Sequence, residues 1–254
     1  MTFSILGYDD RTGESGIALQ SKFPGVGGIA MHGRVDAGVV STQAFANPDH
    51  GDHGLDLLAL GASPEQVIDI LLRNDPSPGE RQLAVMDRMG RYATYTGEDV
   101  RSSDGWSGYC GGRNCVAHGN SLASQLVVER MTEAFATGTG DIATRLLHSL
   151  EAGEAAGGDI RGRQSAAVLV LKDGGGYGGR SGRHVDISVY DHPSPIKELL
   201  RCYELHRLSY FPTEPQNLIE IDLGLAKELR SILIAGGFLQ RHTEGPGTPA
   251  ISPR

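Results

Sequence analysis

Residues 2–21 read TFSILGYDDRTGESGIALQS, and the fold is decided there. "TFSILGY" (2–8) and "SGIALQS" (15–21) are short, mostly apolar runs, and "DDRTGE" (9–14) supplies the Asp, Gly and charged residues of a turn. Two such runs about one turn predict antiparallel neighbours in a single sheet. The same stretch raises a chemical question, because Thr2 follows Met1 directly. Loss of Met1 would give Thr2 a free α-amine beside its hydroxyl. Otherwise Thr2 is a β-branched residue opening a strand. On the residues alone the strand reading is the favoured one.

Outward from this hairpin, "VDAGVVSTQAF" (35–45) predicts a buried strand, and "ASPEQVIDILLR" (62–73) a helix with Ser63 as N-cap and Pro64 at its first position. "RQLAVMD" (81–87) and "GRYATYTG" (90–97) read as a second hairpin. The glycine-rich passage "DGWSGYCGGRNCVAHGN" (104–120) reads as strand and loop feeding a helix over "SLASQLVVERMTEAFAT" (121–137), with Leu122, Leu126, Met131 and Phe135 at helical spacing. "GDIATRLLHSLEAG" (140–153) is the next helix. "QSAAVLVLK" (164–172) and "RHVDISVYD" (183–191) are strands. Antiparallel strands with grouped helices predict an α+β layered sandwich, not a parallel α/β fold. "HPSPI" (192–196) marks a boundary, beyond which "PIKELLRCYELHRL" (195–208) and "DLGLAKELRSILIAGGFL" (222–239) are amphipathic helices. The expected organisation is a main domain over 1–192, a small helical module over 193–240, and a disordered Pro- and Gly-bearing tail over 241–254.

Bulk properties narrow the function. The 254 residues suffice for one well-buried domain with an appendage, and the 36 glycines, about twice the ordinary ~7 %, imply many tight turns. A net charge of −8 argues against nucleic acid or an anionic membrane as partner. No apolar run is long enough to cross a bilayer and no signal peptide precedes the first strand, so a cytoplasmic location is expected. Cys110, Cys115 and Cys202 form neither a disulfide framework nor a zinc set. Asp49, His50, Asp52 and His53 in "NPDHGDHG" invite a metal reading, but residues so close in sequence cannot all converge on one ion. A solvated loop before a helix at Gly54 is the expectation, with no metal and no cofactor.

Several blocks resemble one family: "MTFSI", "QSKFPGVG", "TQAFANP", "GLDLL", "GN" before a helix, "GGDIRGRQSAA" and "GYGGR…VDISVYDHPSPIKEL". Over residues 1–192 the chain is similar to the family called domain of unknown function 1028, grouped with the N-terminal nucleophile (Ntn) hydrolases. Residues 195–240 resemble a small helical module described as peptidoglycan-binding. The resemblance implies an αββα four-layer sandwich, a homo-oligomer, and an amidohydrolase acting on a small amide or peptide bond through Thr2. The alternative is a catalytically inactive Ntn fold used for binding or scaffolding.

The expected catalytic set is Thr2, Lys22, Asn120 and Asp159. An α-amine with pKa ~7.7–8.0 can take the hydroxyl proton of an N-terminal Thr. Lys22 supplies positive charge at the end of the second strand. Asn120, before the expected helix, would donate to an oxyanion with help from the helix dipole. Asp159 in "GGDIRGR" would orient Thr2; its rival reading is an Asp–Arg pair fixing a glycine-rich loop. Ser21, Gln43, Asn47, Arg161 and Arg163 are the expected substrate-binding residues. Relative to the proteasome-like layout, the chain lacks the carboxylate beside Lys22 and the Lys of a later strand, where Thr42, Gln43 and Asn47 stand.

Overall fold

The computed structural model describes residues 2–211 and 218–239, and the chain divides into two units, Met1–Phe211 and Pro212–Arg254. In the first unit β1 (Thr2–Tyr8) pairs antiparallel with β2 (Ser15–Ser21), Thr2 opposite Ser21 and Tyr8 opposite Ser15, as the opening stretch predicts. Asp9 shapes the turn: its carboxylate accepts from the Arg11 amide at 3.0 Å and its carbonyl from Gly13 N at 2.9 Å. Then follow α1 (Gly27–Ala30), β3 (Met31–Arg34), β4 (Gly38–Ala44), α2 (Asp49–Ala59), α3 (Pro64–Arg73), β5 (Arg81–Asp87), β6 (Tyr92–Thr96), α4 (Glu98–Arg101), β7 (Trp106–Gly112) and β8 (Cys115–Leu122). The unit continues through α5 (Leu126–Thr137), α6 (Ile142–Ala155), β9 (Ser165–Leu171), β10 (Arg183–Val189) and α7 (Pro195–Tyr210), and the second unit contains α8 (Leu223–Ala235).

All strand pairs are antiparallel, giving one sheet in the order β10-β9-β2-β1-β8-β7 and another in the order β3-β4-β5-β6. The period of two residues along each strand assigns side chains to separate apolar clusters. Phe3 and Ile5 of β1 join Val127, Met131 and Phe135 of α5 and Leu146 and Leu150 of α6. Leu6 of β1, Ile17 and Leu19 of β2 and Leu169 of β9 meet Val39 of β4 and Met86 of β5 between the sheets. Val40 of β4 and Leu83 and Val85 of β5 face Leu55 and Leu58 of α2 and Val67 and Leu71 of α3. Each side chain of this size buried in full contributes ~1.5–3 kcal/mol of hydrophobic stabilisation. α3 begins as read: Ser63 accepts from Gln66 N while the Gln66 side chain accepts from Ser63 N, and Pro64 follows.

Three expectations need correction. Residues 49–53 are the first turns of α2, not a loop. Gly51 and Gly54 serve close packing there, since a Cβ on Gly51 would lie 2.1 Å from the His32 ring and one on Gly54 3.3 Å from Val40. Asn120 does not open a helix. β8 runs on to Leu122 with Phe3 paired to Gly119, and α5 starts at Leu126. The helix read at 195–208 belongs with the first unit: Ile196, Leu199 and Tyr203 are buried against its core. Tyr203 Oη donates to Asp141 Oδ1 at 2.8 Å, the same oxygen that caps α6 by accepting from Thr144 N. The expectation for 241–254 lies outside the described residues. No helix among them is long and apolar enough to cross a membrane.

This packing predicts a contrast within α7. Leu199→Ala is expected to lower the unfolding free energy by about 2–5 kcal/mol in urea denaturation. Leu208→Ala, at a position 82 % exposed, is expected to stay within about 0.5 kcal/mol of the parent.

Candidate functional site

Antiparallel neighbours share ends, so Thr2 at the start of β1 lies beside Ser21 at the end of β2 and beside the Gly119–Leu122 end of β8. The loop before β9 closes over the same end. Leu122 forms a bridge with Asp159, Ile160 N donates to Ser121 O at 3.1 Å, and Gln164 N donates to Ser21 O at 3.0 Å. The topology therefore gathers Thr2, Ser21, Asn120 and Asp159 from distant parts of the sequence.

Thr2 is 4 % exposed, and its hydroxyl donates to Ser21 Oγ at 3.1 Å. Its carbonyl accepts from Gln43 Nε2 at 3.3 Å. Behind Thr2 the space between the sheets is polar. Ser4 Oγ donates to Gln43 Oε1 at 2.6 Å, and Gln43 Nε2 donates to Gln82 Oε1 at 2.8 Å. Gln82 Oε1 also accepts from Asn120 Nδ2 at 2.8 Å, while Gln82 Nε2 donates to Gly119 O at 2.7 Å and Thr96 Oγ1 at 3.1 Å. His118, fully buried in the same space, has its Nε2 2.9 Å from Ser41 Oγ, and burial pushes its pKa down to about 3. It is a neutral imidazole at ordinary pH.

The other expected residues divide. Asp159 is buried, and its carboxylate accepts from Arg161 N at 2.9 Å, Arg161 Nε at 3.2 Å, Arg161 Nη2 at 2.9 Å and Lys22 N at 3.3 Å. It thus holds the loop and the end of β2, and none of its hydrogen bonds goes to Thr2. The Lys22 ammonium is exposed and donates to Arg163 O at 3.4 Å. Arg163 pairs with Glu154 at 3.1 Å. Asn47 takes part in the turn after β4, accepting from Thr42 Oγ1 at 3.2 Å through its carbonyl. It lines a separate 570 Å³ cavity over α2 and α3. Arg161 and Asn120 share a 290 Å³ cavity with Ser121, Phe45 and Asp99.

Gln82, Ser4 and Ser121 were not singled out from the sequence. Gln82 carried a readable signal: in "RQLAVMD" it shares its face with Ala84 and Met86, so a polar amide points where apolar residues are expected. Among the described residues no group of three or more His, Cys, Asp or Glu side chains is arranged to hold a metal.

The family described as "Family of unknown function (DUF1028)" matches residues 2–199. The chain belongs to this family. Among solved structures it is similar to the crystal structure of protein SPO2555 from Silicibacter pomeroyi, which carries the same family label. The two share 32 % sequence identity and a TM-score of 0.73, over 81 % of this chain and 89 % of the other. No match is found among curated proteins.

His118 gives this DUF1028 chain a testable pH dependence. Its pKa is about 3 when folded against ~6.5 when unfolded, so the unfolded state binds the extra proton below pH 6.5. Its contribution is complete above pH 6.5 and is lost as pH falls toward 3. Between pH 6.5 and 5, where carboxylates contribute little, the expected loss is about 2 kcal/mol. Between those two pH values the unfolding free energy of the parent should fall by about 2 kcal/mol more than that of His118→Gln.

Proposed function

We propose that the protein is an Ntn-type amidohydrolase of αββα four-layer architecture, with Thr2 as nucleophile once Met1 is removed. The observation that carries the reading is the buried Thr2 hydroxyl, 3.1 Å from Ser21 Oγ at a sheet end where a polar network replaces the apolar core. The order of the apolar clusters, α2 and α3 against one sheet, sheet against sheet, then α5 and α6, supports the architecture.

In this mechanism the α-amine of Thr2 takes the hydroxyl proton and Oγ1 attacks the carbonyl carbon of a small amide or peptide. Asn120 has two amide protons; one is given to Gln82, and the other is the proposed oxyanion donor. This donor acts from a strand, without a helix dipole. The tetrahedral intermediate collapses to an acyl ester on Thr2, and the leaving amine takes the proton from the α-ammonium. Water, deprotonated by the same amine, then releases the acid and restores Thr2. Ser21 orients the hydroxyl; Asp159 and the Lys22 backbone position the strand end. No metal or cofactor enters this scheme. The substrate remains a small-molecule amide or peptide, the assembly a homo-oligomer and the compartment the cytoplasm, and the segment 193–240, α7 included, is the part that resembles a peptidoglycan-binding module. One observation favours the inactive, scaffolding alternative: the ammonium of Lys22 and the carboxylate of Asp159 are both engaged away from Thr2.

Intact mass and N-terminal sequencing, followed by labelling with a β-lactone, test the proposal. The expected result is loss of Met1 and one acyl adduct on Thr2. Labelling should fall about 10³-fold in Thr2→Ala, persist in Thr2→Ser, and slow about tenfold in Ser21→Ala. Full retention of Met1 with no adduct leaves the scaffolding reading standing.

A further inference from the structure

The cavity beside Asn120 has chemistry that the hydrolytic steps do not use. It measures 290 Å³, and its walls come from the ends of β4 and β8, the turn before β5, and α4. That volume suits one small ligand or one side chain rather than a drug-sized molecule. Two features mark it as built. Ala44 and Ser121, both lining it, hold left-handed backbone angles, φ 68° and φ 52°, although neither is glycine. Ser121 is also fully buried, and its hydroxyl has no hydrogen-bond partner among the described residues. Buried hydroxyls are ordinarily satisfied, so a ligand's polar atom is the natural complement.

The rim is acidic. Glu80 and Asp99 both line the cavity, and Asp99 has no ion-pair partner among the described residues. The lining cation, Arg161, is paired with the Asp159 carboxylate at 2.9 Å. Arg81 lies 3.6 Å from Glu80 but is held by Asp75 through two hydrogen bonds, at 2.8 and 3.0 Å. On α4, Arg101 donates its Nε to Thr96 O at 3.0 Å, and the helix carries two acidic residues, Glu98 and Asp99, against this one cation. Negative charge is thus in excess at the mouth, while Phe45 and Val100 supply apolar wall.

We propose that this cavity binds a protonated primary amine on a short methylene stem. Glu80 and Asp99 face the ammonium, Phe45 and Val100 cover the stem, and the Ser121 hydroxyl bonds a neutral polar group such as the amide carbonyl. Resting on the reading of Thr2 as nucleophile, this names the substrate class: small amides that carry an ammonium group.

Three amides of similar length serve as probes with the full chain: 4-aminobutanamide as cation, pentanamide as neutral form, and succinamate as anion. Ligand-observed NMR titrations at low salt are expected to show the cation binding about three- to tenfold tighter than pentanamide, with succinamate weakest. The advantage should shrink as salt is raised, because the carboxylates are exposed. It should vanish in the double variant Glu80→Gln/Asp99→Asn, whose fold is checked by its circular dichroism melt, and Ser121→Ala should weaken cation and neutral form alike. Equal binding of cation and neutral form, survival of the advantage in the double variant, or no saturable binding of 4-aminobutanamide up to about 10 mM overturns the proposal. β-Lactone labelling on the same samples separates the two readings. Thr2 labelled without charge preference overturns the amine site alone; charge preference without labelling overturns the nucleophile alone.

Discussion

The side-chain amide of Gln82 is the joint on which this structure turns. It stands on β5 in the four-stranded sheet, yet its nitrogen donates to Gly119 O at 2.7 Å and its oxygen accepts from Asn120 Nδ2 at 2.8 Å, both on β8 of the other sheet. The same oxygen accepts from Gln43 on β4, which in turn reaches Ser4 and the carbonyl of Thr2 on β1. Two sheets held together by apolar contact alone can slide, because the hydrophobic effect has no direction. Hydrogen bonds are directional, and a buried network with one member missing is worse than none. The Gln82 amide therefore fixes the register between the sheets at one end, and that end is where Thr2 lies.

The consequences spread along β8. Gly119 must approach Thr2 closely, since a Cβ there would lie 3.1 Å from Thr2 O and 2.6 Å from Leu122 Cδ1. Two residues later Ser121 enters the left-handed region at φ 52°. This breaks the alternation of the strand: Asn120 faces the other sheet, and Leu122 turns into the core beneath α5. The bend leaves Ser121 lining a cavity and lets Leu122 pair with Asp159. Asp159 then uses its carboxylate to tie the loop through Arg161 and the end of β2 through Lys22 N. These hydrogen bonds are the Asp–Arg pairing that "GGDIRGR" invites.

How much of this was legible depends on whether the signal was local. The opening hairpin, the capping box of α3 and the apolar run of β9 were readable because turn chemistry, caps and periodicity act over a few residues. The start of α2 was misread because Gly51 and Gly54 carry the signature of a mobile turn, whereas here they admit His32 and Val40. The end of β8 was misread because Leu122 fits a helical spacing and is indeed buried, but as part of a strand. The meeting of Thr2 with Ser21 follows from the antiparallel hairpin, whereas Asn120 arrives through the pairing of β1 with β8, which no local pattern specifies. The direction of Lys22 did not, because a long exposed side chain takes its direction from partners such as Arg163 O that the strand pattern does not specify.

The neutrality of the network bears on the chemistry proposed for Thr2. Gln43, Gln82, Asn120 and Ser4 carry no charge, and His118, with its pKa about 3, carries none at ordinary pH. The charges that stand close by, Asp159 and Arg161, are paired with each other. Among the described residues the Thr2 hydroxyl bonds Ser21 and no side-chain base, in contrast to a serine activated by a neighbouring histidine. An N-terminal threonine carries its own base, and its α-amine titrates within about a unit of neutral pH without a charged neighbour. The absence of the Lys and carboxylate of the proteasome-like layout is then compatible with catalysis by Thr2. What the neutral network provides is position, and the proton transfer rests on the one group that removal of Met1 creates.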